Sequence, residues 1–238
     1  MPKTHPTPIL DAETLAYRRK RYTEIARILR QAYGYPTWRQ HLSPVEELVS
    51  TILSQNTTDH NRDMAFDALR ARFPSWEAVR DAPPEGVIAA IRSAGLANTK
   101  GPRIQAALRR ISEERGAITL DFLAEMNVEQ AKAWLTRLEG IGPKTAAIIL
   151  LFALNKPAFP VDTHVHRVTK RLGLIGPKTS AERAHLELEA IIPPEDYYPA
   201  HLNFIRHGRQ VCKARGPRCE VCPLAAHCDH YRARPLDG

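Results

Sequence analysis

The sequence predicts an all-α protein, and three observations support that prediction. Apolar residues recur at helical intervals through most of the chain. Helix start signals stand at the breaks between these segments, as at Ser43-Pro44, where an N-cap residue precedes a proline at the first helical position. Convincing alternation of apolar and polar residues, the pattern of a strand, is absent from the sequence. Helices are predicted at residues 12–33, 44–53, 58–72, 84–93, 100–115, 128–138, 143–154, 164–172, 180–191 and 196–211.

The first predicted helix has a strongly basic face. Its apolar residues can share one stripe, while the other face carries six basic side chains. Such a face is usually solvated, and contact with phosphate groups is the alternative. The six basic residues are Arg18, Arg19, Lys20, Arg21, Arg27 and Arg30.

The composition indicates a folded protein with a polyanionic partner. The chain has 238 residues, enough for one large or two small domains, and its 43% of hydrophobic residues allow a real core. Lys and Arg number 34 against 26 Asp and Glu. The resulting net charge of +8 favours nucleic acid ahead of an anionic membrane surface as the partner.

The N-terminus and the length of the apolar runs together indicate an intracellular protein. The first 13 residues lack the apolar segment of a signal peptide. The longest apolar run, Ala146 to Leu154, is far too short to cross a bilayer. We therefore predict a cytoplasmic location, where cysteines favour a metal site over structural disulfides.

All four cysteines lie within 17 residues, with the spacing C-x6-C-x2-C-x5-C. Thiolates this close in sequence suit a single four-coordinate centre. Zinc sites usually combine two C-x2-C hooks, and only one is present here, so the pattern favours an iron–sulfur cluster and leaves zinc as the alternative. The predicted ligands are Cys212, Cys219, Cys222 and Cys228.

Basic residues crowd the same stretch of the chain. They predict a metal site that shapes a phosphate-binding surface. The alternative is that they balance the charge of an anionic cluster, and both explanations can hold. These residues are Arg206, Arg209, Lys213, Arg215 and Arg218.

A glycine-rich turn separates two predicted helices, and it runs from Leu138 to Thr145. Gly140 and Gly142 permit backbone turns that other residues resist, and Pro143 suits the first position of the next helix. The N–H groups at such a turn and helix start can bind a DNA phosphate without reading sequence. The apolar segment that follows predicts a central core helix.

Lys144 is a candidate nucleophile at this helix start. The positive end of the helix disfavours an ammonium ion, and the partial burial expected beside a core helix acts in the same direction. Both effects favour the neutral amine, which is the nucleophilic form. On this motif alone, a lysine that only binds phosphate is equally well supported.

Asp162 follows Lys144 by 18 residues and directly precedes a predicted helix. An aspartate in that position is usually an N-cap, but one carboxylate oxygen can cap while the other faces a cleft. A near-repeat of the glycine-rich turn, from Leu174 to Thr179, contains Lys178. It lacks the first glycine and lies after Asp162, so we interpret it as a capped turn.

Taken together, three blocks of the chain resemble the endonuclease III family of the helix-hairpin-helix DNA glycosylase superfamily. The resemblance extends over nearly the whole chain from about residue 15, and the order and spacing of the blocks make it very specific. The blocks are Leu138-Glu139-Gly140-Ile141-Gly142-Pro143-Lys144-Thr145-Ala146, Val161-Asp162-Thr163-His164 and the four cysteines.

The resemblance implies a two-domain fold. A six-helix barrel domain with the helix-hairpin-helix, residues 37–156, would be inserted into an iron–sulfur cluster domain formed by residues 15–36 and 157–238, after an N-terminal tail at residues 1–14. It also implies that Lys144 is the Schiff-base nucleophile and Asp162 the catalytic carboxylate. The cysteines would ligate a [4Fe–4S] cluster.

Two further segments are similar to DNA-intercalating loops of the family. In the first, Gln55 or Asn56 would fill the gap left by an extruded base; the family commonly has glutamine where Asn56 stands. In the second, Leu96 would wedge the opposite strand, with Ala97 where many members have an aromatic residue. The DNA-binding residues expected are Gln55, Asn56, Leu96, Gly140, Gly142, Thr145, His164, Arg209, Lys213, Arg215 and Arg218.

The activity implied by the resemblance is that of a bifunctional DNA glycosylase and abasic-site lyase of base excision repair. The expected substrate is double-stranded DNA with abasic sites or damaged bases, chiefly oxidised pyrimidines, although Ala97 makes an altered range plausible. The expected protein is a monomer at the nucleoid of a prokaryotic cell. Three alternatives stay open: a monofunctional mismatch glycosylase, which typically lacks the lysine; a non-catalytic helix-hairpin-helix module; and a redox carrier.

Overall fold

The computed structural model describes residues 10–233, and every regular element in that part of the chain is helical. The all-α prediction is therefore confirmed. The helices are α1 (Ala12–Tyr33), α2 (Pro44–Ser54), α3 (Asp59–Arg72), α4 (Trp76–Asp81), α5 (Pro84–Ala90), α6 (Ala97–Arg115), α7 (Val128–Leu135), α8 (Pro143–Ile148), α9 (Thr163–Arg171), α10 (Ala181–Ile191), α11 (Tyr197–Gln210) and α12 (Asp229–Arg232).

Several helix ends shift by one to three residues, as at Ala97 of α6 and Leu135 of α7, and three further differences concern a missing helix or a change in helix type. The short helix α4 has no predicted counterpart, because six residues are too few to display a helical period. The helix predicted to reach residue 93 ends at Ala90 and is followed by a 3₁₀ turn, Arg92–Ala94. The helix predicted over 143–154 changes from α to π geometry at Ile149–Ala153. No helix of the described residues is long and apolar enough to span a membrane.

The chain divides into two compact units. The inserted unit, Arg39–Lys156, contains α2 to α8. The terminal unit combines the chain up to Trp38 with the chain from Pro157 onward, and it contains α1 and α9 to α12. Most of the predicted N-terminal tail lies outside the described residues. Its last residues, 12–14, form the first turn of α1, which Asp11 caps by accepting a hydrogen bond of 2.8 Å from the N–H of Thr14.

Helix α2 supplies much of the core of the inserted unit. A capping box between Ser43 and Glu46 starts the helix, and the residues from Leu48 to Leu53 are all buried. It packs against α3, α6, α8 and the π turn. Ile149 and Leu150 of that turn are fully buried. The apolar segment after the glycine-rich turn thus lies in the core, as predicted, and it anchors that turn.

In the terminal unit, α1 uses part of its basic face to bind neighbouring helices. Arg18 forms an ion pair of 2.8 Å with the buried Glu187 of α10. Arg19 donates two hydrogen bonds to a carbonyl of α10, and Arg21 pairs with Asp229 of α12. These three side chains are therefore neither simply solvated nor free for phosphate, because they connect α1 to the C-terminal part of the unit.

Helices α9 and α11 pack closely within the same unit. Gly208 of α11 allows this approach, since a Cβ atom at that position would lie 3.1 Å from the Cβ and Nδ1 atoms of His164. Any side chain there would have to displace the histidine. The start of α9 is therefore held against α11.

Candidate active site and metal centre

The turn between α7 and α8 places Lys144 in the first turn of a helix. Gly140 has a φ of +74°, a left-handed conformation that glycine adopts without strain. Gly142 is the extended N-cap residue of α8, and Pro143 occupies the first helical position. The amide groups of this first turn have no partner within the helix and are available to an anion.

Lys144 itself is exposed, so the partial burial predicted for its side chain is wrong. Gly142 and Pro143 are exposed as well. Burial in α8 starts one residue later, at Thr145, and continues through Ala146. The first turn of α8 therefore lies outside the core, and the Lys144 amine is accessible to a large substrate.

Asp162 caps α9 with one carboxylate oxygen. Its Oδ1 atom accepts a hydrogen bond of 2.7 Å from the N–H of Val165. Its Oδ2 atom makes no hydrogen bond with the part of the chain that the structure describes. The side chain is half-buried, and the helix dipole stabilises a negative charge at this end. Capping therefore leaves one oxygen available to a ligand.

His164 lies in the first turn of α9, where its surroundings favour the neutral ring. Its Nδ1 atom is 3.1 Å from Nη2 of Arg167, and because a guanidinium only donates, the ring nitrogen must accept. Burial is the main cause that lowers the pKa of His164. The Asp162 carboxylate and a hydrogen bond with the Gly208 backbone raise this pKa, while Arg167 and Arg209 lower it.

Two arginines of α9, one helical turn apart, hold the start of the cysteine loop, residues 212–228. Arg167 donates a hydrogen bond of 3.0 Å to the carbonyl of Cys212. Arg171 donates to the carbonyl of Lys213 at 2.7 Å, and its Nη1 atom lies 3.4 Å from the sulfur of Cys212. The helix that begins beside Asp162 therefore also positions the cysteine loop.

The four predicted ligand cysteines line one cavity of the terminal unit, and none of them forms a disulfide. Burial raises the pKa of Cys222 to about 11, and coordination to a metal centre would favour its thiolate form. Within the described residues, no group of three or more His, Cys, Asp or Glu side chains is arranged for a single metal ion. Four thiols around one cavity match the donor set of an iron–sulfur cluster.

The basic residues of the cysteine loop face solvent. Lys213, Arg215 and Arg218 are exposed, and none has an ion pair with a carboxylate of the described residues. Arg209 is exposed as well. By contrast, the guanidinium of Arg206 lies over an aromatic ring of α1. The loop thus presents unpaired positive charge.

The two candidates for gap filling have different surroundings. Gln55 is half-buried; its Nε2 atom donates to the carbonyl of Gly140 at 3.2 Å, and its Oε1 atom accepts from Arg103 at 3.1 Å. Asn56 is exposed and has a φ of +54°. The side chain of Gln55 is therefore engaged with the glycine-rich turn, whereas Asn56 lies at the surface.

Leu96 has the properties expected of a wedge. Its side chain is 58% exposed, and its φ of +48° is uncommon for a residue other than glycine. It is the N-cap residue of α6, and its carbonyl accepts hydrogen bonds from the N–H groups of Thr99 and Lys100. A large apolar side chain is thus held outside the core at the start of a helix.

Sequence analysis does not identify two polar residues of α6 that connect these segments. Lys100 is 1% exposed, and its ammonium donates hydrogen bonds of 2.8 Å to the carbonyls of Leu53 and Ala94. Arg103 contacts Gln55. The available signal was periodicity: position 100 is four residues before Ile104, on the buried face of the helix.

Comparison with known proteins identifies the same family over most of the chain. Residues 49–194 match the model of the HhH-GPD superfamily of base excision DNA repair proteins. Endonuclease III of Thermotoga maritima is 34% identical over 200 residues, which cover 84% of this chain and 89% of that protein. Endonuclease III of Synechocystis sp. is 36% identical over 221 residues, which cover 92% and 96%.

Solved structures show the same similarity. A non-covalent endonuclease III–DNA complex superposes with a TM-score of 0.78 and 28% identity, covering 90% of this chain and 96% of that one. A trapped endonuclease III–DNA covalent intermediate gives a TM-score of 0.76 at 28% identity, covering 90% and 97%. A thermostable thymine-DNA glycosylase shares the fold, with a TM-score of 0.75 at 20% identity, covering 93% and 99%.

Proposed function

The chain belongs to the endonuclease III family within the HhH-GPD superfamily of base excision DNA repair proteins, and from this membership we propose its reaction. It is a bifunctional DNA glycosylase and abasic-site lyase. It excises a damaged base from double-stranded DNA and then cleaves the strand 3′ to the resulting site by β-elimination. Oxidised pyrimidines are the proposed lesions. We further propose that it acts as a monomer, at the nucleoid.

Lys144 is the proposed nucleophile. Once the target nucleotide has left the base stack, the Nζ atom attacks C1′; the glycosidic bond breaks, and the base departs with the electron pair and takes up a proton. The sugar ring opens to an imine between C1′ and Nζ. Loss of a proton from C2′ expels the 3′ phosphate, and hydrolysis of the imine frees the lysine. The exposure of Lys144 in the first turn of α8 supports this assignment.

Asp162 is the proposed catalytic carboxylate. The oxygen that does not cap α9 would stabilise positive charge as it develops on the sugar. The two oxygens of the carboxylate support this proposal, because Oδ1 accepts a hydrogen bond from Val165 and Oδ2 has no hydrogen bond within the described chain.

DNA contacts are proposed for three groups of residues. The amides around Gly140, Gly142 and Thr145 would hold a phosphate; Thr145 would use its N–H group, since its side chain is buried. Asn56 rather than Gln55 would fill the gap, and Leu96 would enter the opposite strand. The remaining proposed contacts, to the DNA backbone, are His164, Arg209, Lys213, Arg215 and Arg218.

A [4Fe–4S] cluster is the proposed cofactor of the terminal unit. Cys212, Cys219, Cys222 and Cys228 would hold it, and the free thiols around one cavity support this assignment. When bound, the cluster would supply a rigid anionic centre that fixes the fold of the cysteine loop. The chain's own contribution is to present the basic residues of that loop to phosphate.

The observation that supports this function most directly is the similarity to a trapped endonuclease III–DNA covalent intermediate over 90% of the chain. The test is borohydride reduction during incubation with DNA that contains an abasic site. We expect a covalent protein–DNA adduct that is lost in Lys144→Ala. Lys178→Ala is the matched control, because Lys178 is exposed in the similar turn 174–179 and should leave the adduct unchanged.

The same experiment separates the alternatives. A non-catalytic module would bind the duplex without forming an adduct, and a monofunctional mismatch glycosylase would release a base without cutting the strand. An adduct that persists in Lys144→Ala would move the nucleophile elsewhere. Cleavage of a panel of duplexes with single defined lesions then tests the proposed preference for oxidised pyrimidines.

A further inference from the structure

One buried lysine connects the two segments that we assign to DNA intercalation. The Lys100 ammonium donates to the carbonyl of Leu53, three residues before Asn56, and to the carbonyl of Ala94, two residues before Leu96. Both bonds are 2.8 Å long, and all five residues belong to the inserted unit.

The position of the ammonium is electrostatically favourable. Leu53 lies in the last turn of α2, and Ala94 ends the 3₁₀ turn that precedes Leu96. Carbonyls at helix C-termini lack partners within the helix and carry the negative end of the dipole. Lys100 therefore satisfies the ends of two helices at once. Burial lowers the pKa of Lys100, and the two carbonyl groups oppose this effect because they favour the ammonium form.

The two residues that Lys100 stands behind are both strained. Asn56 and Leu96 have φ values of +54° and +48°. They are two of the three non-glycine residues with positive φ in the described chain. Such conformations persist only where the surrounding structure determines them. The hydrogen bonds from Lys100 fix the backbone three residues before Asn56 and two residues before Leu96, and they help to hold both conformations.

A second set of contacts connects the gap-filling segment to the glycine-rich turn, residues 138–145. Gln55, next to Asn56, donates to the carbonyl of Gly140 and accepts from Arg103. Arg103 in turn lies so close to Gly140 that a Cβ atom there would overlap its side chain. The gap-filling segment is thus bonded both to the wedge segment and to the hairpin.

We propose that Lys100 is a positioning residue that holds the gap-filling and wedge segments in a fixed relation, so that Asn56 and Leu96 enter the duplex together. Gln55 connects the gap-filling segment to the glycine-rich turn through its hydrogen bond to Gly140. This inference rests on the proposed function. It requires that loss of the Lys100 bonds impairs extrusion of a paired base more than it impairs the chemistry.

The test compares one lesion in two contexts, base-paired in a duplex and unpaired in a single strand, under single-turnover conditions. Lys100→Met keeps the side-chain length and removes the donors. We expect excision of the paired lesion to fall by about tenfold or more, equivalent to about 1.4 kcal/mol, while the unpaired lesion is processed within about twofold of the wild-type rate. Gln55→Ala, at a half-buried position, should show the same selectivity with a smaller loss.

Val79→Ala is the matched control, because it removes buried apolar volume from α4 of the same unit and leaves the side chains of Lys100 and Gln55 unchanged. It should lower the unfolding midpoint and leave the ratio of the two rates unchanged. Equal losses on both substrates in Gln55→Ala and Lys100→Met, or no loss in either, would overturn the inference. If Lys100→Met fails to fold, the ratio in Gln55→Ala decides. A wild-type protein that processes neither substrate would instead refute the proposed function.

Discussion

Asp162 and Val165 are joined by a hydrogen bond of 2.7 Å that caps α9 and occupies only one oxygen of the carboxylate. Asparagine caps a helix about as well as aspartate but carries no charge. We therefore expect Asp162→Asn to bind DNA nearly as wild type and to lose about a hundredfold or more in turnover, the range of general acid–base and electrostatic effects. Single-turnover excision and equilibrium binding measure the two quantities separately.

Asp162→Ala provides the companion measurement. It removes the cap as well as the charge, and we expect a further loss of about 1 kcal/mol in the free energy of unfolding. If Asp162→Asn weakens DNA binding as much as it slows turnover, Asp162 is structural and the catalytic assignment is wrong.

The pair formed by His164 and Arg167 predicts a dependence of stability on pH. Because the folded protein lowers the pKa of His164 from its ordinary value of 6.5, the unfolded chain binds a proton first as the pH falls. The contribution of neutral His164 is therefore complete above pH 6.5 and is lost progressively below it. Protonation would also abolish the bond that Nδ1 accepts from Arg167.

We expect His164→Gln to reduce the loss of stability on the acid side of pH 6.5, because glutamine can accept a hydrogen bond but does not titrate. Urea unfolding above and below that pH measures the difference between variant and wild type. The charges that act on the ring, those of Asp162, Arg167 and Arg209, are kept in both proteins. Identical acid slopes for the two would contradict the prediction.

Local sequence predicted the parts of the site that depend on neighbouring residues. The glycine-rich turn, the proline at the start of α8 and the Asp162 cap are all set within a few residues, and each is found where the pattern indicates. The exposure of Lys144 was predicted wrongly, since it depends on how far the first turn of α8 projects from a core built by distant helices.

Contacts between distant residues were not predictable from pattern alone. Lys100 reaches a carbonyl 47 residues away, and Arg171 reaches the sulfur of Cys212 across 41 residues. A charged residue in a helical stripe is normally taken as solvated, because burial of an unpaired ammonium is unfavourable. Only the folded chain shows that the end of α2 and the end of a 3₁₀ turn converge on Lys100.

The two glycines of the hairpin should tolerate substitution differently. Gly140 has a φ of +74°, and an added Cβ atom would overlap the side chain of Arg103. Gly142 has a φ of −94° and no atom within 4 Å of an added Cβ. We expect Gly140→Ala to cost about 1–2 kcal/mol from backbone strain alone, and to weaken DNA binding because the hairpin shifts.

Gly142→Ala is the matched control within the same turn. Its free energy of unfolding should stay within about 0.5 kcal/mol of the wild-type value, typical of substitutions at open positions. Chemical denaturation and DNA binding of both variants check this contrast. Equal stability of the two variants would mean that the left-handed conformation of Gly140 is not required.

The basic residues of the cysteine loop provide a test of how the protein meets the DNA backbone. Lys213 and Arg215 are exposed and have no carboxylate partner in the described chain. Each phosphate contact contributes about 0.9 to the slope of log affinity against log salt concentration. We expect the double variant Lys213→Ala, Arg215→Ala to reduce that slope by roughly 2 and to weaken binding equally for damaged and undamaged duplexes.

Lys178→Ala, at an exposed lysine of the same unit, is the control and should leave the slope unchanged. If these residues instead only balance the charge of the metal centre, the double variant will lose bound iron while its salt dependence stays at the wild-type value.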